Sequence, residues 1–176
     1  MAFDAFCYST SHKSDMPGET QDSDYAAKGA FEILSFELGA ENTINIGSVT
    51  GGGGAGKATF KEFTVTKKTD TSSTFLFTAL VTGMHYGSVT VDLRRSGAAT
   101  KTMKSGGVFM KFDMRLVMVQ DISWSGSDGD DVCEETVIFQ FGAIEITYTP
   151  QDKDGKDKTK QLSRWSRVKN NNSLDV

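Results

Sequence analysis

Between Val108 and Met118 the even-numbered residues are all apolar (Val108, Met110, Phe112, Met114, Leu116, Met118), while Lys111, Asp113 and Arg115 take the other parity. A period of two sustained this far predicts one long strand, Val108 to Ser123, in a sandwich or barrel. That length exceeds the usual strand, so a bulge or bend is expected near Gln120. Met103, Met110, Met114 and Met118 alternate with charged neighbours, which favours core packing over an adaptable contact surface. From Glu134 to Thr149 the pattern changes phase: Val137, Phe139 and Phe141 are odd, whereas Ile144, Ile146 and Tyr148 are even. A β-bulge at Gly142-Ala143 would restore the core-facing register. The turn residues of Ser125–Asp131 join the two strands into a large hairpin.

Gly87 to Arg94 alternates strictly, with Val89, Val91 and Leu93 on one face and Ser88, Thr90, Asp92 and Arg94 on the other, predicting a half-buried strand. Phe31–Leu38 and Thr43–Val49 also contain alternating stretches. One helix is predicted from Ser72 or Ser73 to Thr82. Asp70, Ser72 and Ser73 are its candidate caps, Phe75, Leu76, Ala79 and Leu80 its stripe, and Gly83 its stop. Segments 9–30 and 150–161 lack apolar periodicity and read as loops. The fold class is therefore mainly β, a sheet pair or closed barrel with one helix, at about 72–82, on its flank.

Composition narrows the function. A chain of 176 residues, 38% hydrophobic and 24% charged, fits one globular domain over 1–176. A net charge of −4 argues against nucleic-acid binding, and the basic residues near the C-terminus are interleaved with Asp152, Asp154 and Asp157 as a solvated segment. No run reaches the length of a membrane-spanning helix, and Met1–Cys7 lacks the basic and apolar regions of a signal peptide. Cys7 and Cys133 cannot build a disulfide framework and suit a reducing compartment.

Gly51, Gly52, Gly53, Gly54, Ala55, Gly56 and Lys57 satisfy the G-x-x-x-x-G-K spelling of a phosphate-binding loop. Ala58 stands where magnesium needs a hydroxyl, and Thr59–Thr66 is β-branched and aromatic where a helix should begin. A P-loop-like nucleotide-binding enzyme is thus an alternative that the local pattern opposes. The near-EF-hand runs around Gly155 and Gly129 each lack two ligands, so no calcium site is expected. His12, His85, Cys7 and Cys133 are scattered, with no zinc spacing and no base beside a nucleophile. His85 reads as a turn or interface residue. Glu134-Glu135 and Asp130-Asp131 read as solvated charge at a hairpin rim. No catalytic residue, metal or cofactor is expected, and the chain reads as a non-enzyme.

Met1–Phe6, Ile33-Leu34-Ser35-Phe36, Gly51–Lys57 with Phe60, Phe63 and Thr66-Lys67-Lys68, Asp70–Ser73, Ala79, Thr82-Gly83, Ser125–Ser127, Glu135–Val137 and Ile144–Gln151 together resemble the Hcp family, the haemolysin-coregulated tube proteins of type VI secretion. The resemblance runs nearly the whole chain in order. It implies two packed antiparallel sheets forming a compact β-barrel, and homohexameric rings that stack into a tube. A contractile sheath would expel that tube, with a VgrG-like spike and baseplate proteins as partners and small effector proteins in the lumen. It further implies a protein that is cytoplasmic before firing and then secreted without a cleaved signal peptide. Residues 9–30, 98–108 and Cys7 depart from the family pattern. By the same resemblance the long Asn42–Lys57 loop, with Gly51, Gly52, Gly53, Gly54, Gly56 and Lys57, is the candidate ring-stacking element. A ring-forming effector adaptor or chaperone that does not stack is the principal alternative.

Overall fold

The computed structural model describes residues 3–45, 54–95 and 106–176. Ten strands, one α-helix and two short 3-10 helices (Lys13–Asp15 and Ala26–Lys28) lie within them. β1 (Phe3–Ser9), β2 (Phe31–Glu32), β3 (Ser35–Glu37), β6 (Phe63–Lys68), β7 (His85–Arg95), β8 (Val108–Ser125), β9 (Glu134–Tyr148) and β10 (Gln161–Ser166) form one antiparallel sheet. Its order is β2-β1-β7-β8-β9-β6-β3, with β10 also on β9. Among the described residues β4 (Ala40–Asn45) and β5 (Gly54–Phe60) pair only with each other, so the second sheet is a two-stranded ribbon. α1 (Thr71–Thr82) packs against β8.

One short segment closes the large sheet. Residues 31–32 pair with β1, and residues 35–37 pair with β6 at the other end of the strand order. Between them the Ile33 amide donates to Ala5 O at 3.0 Å and the Leu34 amide to Thr66 O at 2.7 Å. Both sheet edges are thereby satisfied by the same stretch of chain, and the sheet becomes a barrel. Val89, Val91, Phe112, Met114, Val117, Val137, Phe139 and Phe63 fill it.

The long hairpin departs from the sequence expectation in an instructive way. β8 buries Phe112 and Met114 at even positions, then Val117 and Val119 at odd ones. β9 switches at the same level, from Phe139 and Phe141 to Ile144. The pairing offset is nevertheless unchanged, with Arg115 opposite Ala143 and Val117 opposite Phe141. No register shift falls at Gly142-Ala143. Instead Leu116, at φ 49°, turns its side chain outward opposite Gly142, and both strands exchange faces together. The register shift expected near Gln120 is present, between Val119 and Asp121.

β7 is buried on both faces rather than half-buried. Ser88, Thr90, Asp92 and Arg94 are covered because the strandless stretch that follows β1 lies over them. Ser11 Oγ accepts from the Ser88 amide at 2.7 Å, and Tyr8 and Tyr25 both donate to Asp92 Oδ2, at 3.0 and 3.1 Å. Arg94 donates to Asp22 at 2.6 and 3.0 Å and to Asp4 at 2.9 Å. Segment 9–30 thus packs through hydrogen bonds and the isolated apolar anchors Met16, Tyr25 and Ala30, and so shows no apolar period.

Candidate functional site

Gly51, Gly52 and Gly53 lie outside the described residues. Gly54, Gly56 and Lys57 are strand residues of β5, where Asn45 pairs with Gly54 and Asn42 with Ala58. The expected Asn42–Lys57 loop is therefore paired at both flanks. After Lys57 the chain continues as strand to Phe60, the Lys61 amide extends the pairing with β4 by donating to Gly39 O at 2.9 Å, and the chain then enters β6. A phosphate cradle needs a helix N-terminus directly after the lysine, and here a strand occupies that place.

Lys57 instead lines a cleft of about 560 Å³. The exchange of faces at Leu116 and Gly142 makes its floor. Phe60 from β5 and Trp165 from β10 make its walls. A Cβ on Gly142 would sit 3.1 Å from Leu116 and Val176 side-chain carbons, so the floor is close-packed. Arg167 is fixed within the cleft: its Nη1 donates to Phe141 O at 2.9 Å and Gln140 Oε1 at 3.0 Å, and its guanidinium lies 5.2 Å from the Phe141 ring centre. His85, which opens β7 and pairs opposite Met118, also lines the cleft. His85 is therefore a strand residue and not part of a turn. Among the described residues, no carboxylate side chain lines the cleft.

The other singled-out residues are not brought together. Cys7 is fully buried in the core, where desolvation pushes its thiol well above the usual range, while Cys133 is exposed at the hairpin tip. Met114 is buried in the core, Met110 packs against it, and Met118 lines the cleft; Met103 lies outside the described residues. Asp152 Oδ1 accepts from the amides of Asp154 and Lys156, at 2.9 and 2.8 Å, closing a turn on itself. Among the described residues, no three of His, Cys, Asp and Glu are placed to hold a metal ion.

Glu135 corrects the expectation of solvated charge at the hairpin rim. It is buried, 2.8 Å from the Nζ of an equally buried Lys67. It also accepts from Ser73 Oγ at 2.8 Å and Trp124 Nε1 at 2.7 Å. Lys67 reaches Asp70 at 2.8 Å as well, tying the helix N-cap to the sheet. The signal was in the parity, because Phe63, Val65 and Lys67 share one face of β6 and Glu135, Val137 and Phe139 one face of β9. Arg167 and Trp165 carried no such signal.

These features define a small β-barrel with one flanking helix, a separately paired ribbon that packs on it through Phe60, and an outer basic cleft. The family model for the type VI secretion system effector Hcp matches residues 10–148. The chain belongs to the Hcp family of the type VI secretion system. It is 28% identical over 99 residues to the protein hcp1 of Pseudomonas aeruginosa, a match that covers 56% of this chain and spans 58% of that relative's length. A solved structure of a type six secretion system protein superposes with a TM-score of 0.83 at 28% identity, covering 98% of this chain and 100% of that one. Hcp1 from Salmonella typhimurium is alike in fold, with a TM-score of 0.74 at 20% identity over 98% of this chain and 100% of its own.

Proposed function

We propose that this chain acts as one structural unit over residues 1–176 and assembles into hexameric rings that stack into the tube of a type VI secretion system. The observation that carries this reading is the β4–β5 ribbon. Among the described residues it pairs with no other strand, and Glu41, Asn42, Thr43 and Ile44 are all exposed. A lone two-stranded ribbon is marginal in water and gains from a second surface. The glycine-rich run of the sequence, Gly51, Gly52, Gly53, Gly54 and Gly56 with Lys57, is suited to close backbone approach to such a surface, at an entropic cost recovered on docking. Ring-to-ring contact gives it that surface.

In this reading the protein is not an enzyme. Its work is assembly, with small effectors carried in the lumen and a spike, sheath and baseplate as partners. Among the described residues, no helix is long and apolar enough to cross a membrane. The assembled protein would wait in the cytoplasm and leave when the sheath contracts.

Electron microscopy with analytical ultracentrifugation tests the reading. Hexamers are expected, with stacked rings at high concentration. Monomers at every concentration would end it, and rings that never stack would favour an effector adaptor.

A further inference from the structure

β7 places four polar side chains, Ser88, Thr90, Asp92 and Arg94, on the face that segment 9–30 covers. Burial obliges each of their polar atoms to find a partner. Ser88 finds one in Ser11, and the Arg94 Nη atoms find theirs in Asp4 and Asp22. Three oxygens beside them do not. Thr90 Oγ1, Asp92 Oδ1 and Asp113 Oδ1 are buried and make no hydrogen bond among the described residues. Thr90 has no exposed surface at all, and Asp92 is 3% exposed.

The three lie together. Thr90 and Asp113 are direct partners across β7 and β8, and Asp92 stands two residues along from Thr90 on the same face. Direct cross-strand partners have Cβ atoms about 4.5–5.5 Å apart and diagonal ones about 7–8 Å. Oxygens on side chains of this length can therefore share one small bridging molecule, although they do not bond one another. Tyr8 and Tyr25 roof the place by donating to the other oxygen of the aspartate, Asp92 Oδ2.

The surrounding charges select the ligand. Lys28 Nζ lies 3.8 Å from Asp92 Oδ2, while Asp113 Oδ2 has Arg115 at 3.4 Å and Lys111 at 4.0 Å. Both carboxylates thus meet their cations through Oδ2, and a metal ion at the Oδ1 atoms would face three cationic side chains already in place. What the Oδ1 atoms lack is hydrogen-bond donors. Two acceptors and one hydroxyl are matched by a molecule with two donors and one acceptor, which is water. We propose that Thr90, Asp92 and Asp113 form a binding site for a single internal water, which donates to both Oδ1 atoms and accepts from the Thr90 hydroxyl. This water stitches β7 to β8 where the polar segment 9–30 seals the sheet. It also offsets part of the burial that pushes the Asp113 carboxyl above the usual range, because a donor at its inner oxygen favours the charged form. The site lies within one chain, so it stands or falls apart from ring assembly.

Diffraction from wild-type crystals to about 1.5 Å should show one peak about 2.7–3.2 Å from all three oxygens, with or without calcium and sodium in the solution. Thr90→Val keeps the side-chain shape and removes the hydroxyl, whereas Thr90→Ser keeps the hydroxyl. The valine variant should lose the peak and lower the folding equilibrium constant about tenfold in urea titrations, while the serine variant retains the peak. No peak in the wild-type crystals, or a Thr90 hydroxyl bonded directly to a carboxylate, would overturn the site. A peak about 2.3–2.6 Å from the oxygens that appears only with calcium would overturn it too, since those are cation distances. Equal stability of the valine variant and wild type would also end it. Should Thr90→Val fail to fold, the wild-type map alone decides.

Discussion

Lys67 and Glu135 face each other across β6 and β9 with no solvent-accessible surface on either side chain. A buried pair of this kind adds little over an apolar one, but breaking it strands a charge. Lys67→Met is expected to lower unfolding stability by about 3–5 kcal/mol, measured by urea titration. Asp22 gives a gentler, pH-dependent case. Its hydrogen bonds from Arg94 hold the carboxyl below the usual range. The folded value is thus below the unfolded one. The resulting stabilisation is complete above the unfolded carboxylate pKa of about 4 and is lost as pH falls through the folded value. Asp22→Asn should cost about 1 kcal/mol at neutral pH, and its gap from wild type should narrow below about pH 4 in parallel urea titrations. The parity of Glu135 was legible in the sequence. Its partner was not, because Lys67 is far away along the chain and meets it only through the β6–β9 register.

At the scale of elements, α1 was the most legible. Asp70 caps it by accepting from the Ser72 amide, Ser73 completes a capping box, and Gly83 ends it in the left-handed region at φ 68°. Gly83→Ala should cost about 1 kcal/mol, seen as a lowered thermal midpoint, since an alanine there must take a left-handed conformation. The expected stripe holds at three of its four positions: Leu76 and Ala79 are buried and Leu80 packs against the core, while Phe75 is exposed. β1 carried no alternation because Ala5 to Ser9 is buried on both faces, against the barrel core and beneath Tyr25. β10 shows no such pattern for the opposite reason, being short, half exposed and next to a charged loop. Period-two patterns report strands with one dry face, and neither of these is such a strand.

For the whole molecule, closure by residues 31–37 depends on pairing at both ends of the strand order, and no local pattern encodes such a join. The outer cleft was equally hidden, since β5, β7, β8, β9 and β10 all contribute to it. The separately paired ribbon leads to a separable outcome: replacing residues 46–53 with a two-residue Asn-Gly turn should leave rings in the ultracentrifuge while abolishing stacks in micrographs. The exchange of faces at Leu116 and Gly142 has its own consequence for how this chain tolerates change. In a saturation scan of β8, polar substitutions should be rejected at Phe112 and Met114, accepted at Leu116, and rejected again at Val117 and Val119. The intolerant positions would step from even to odd partway along one unbroken strand. Drift in this sequence is thus channelled along a stripe that crosses from one side of the ribbon to the other, and two relatives sharing the fold would keep that crossing even where few individual residues agree.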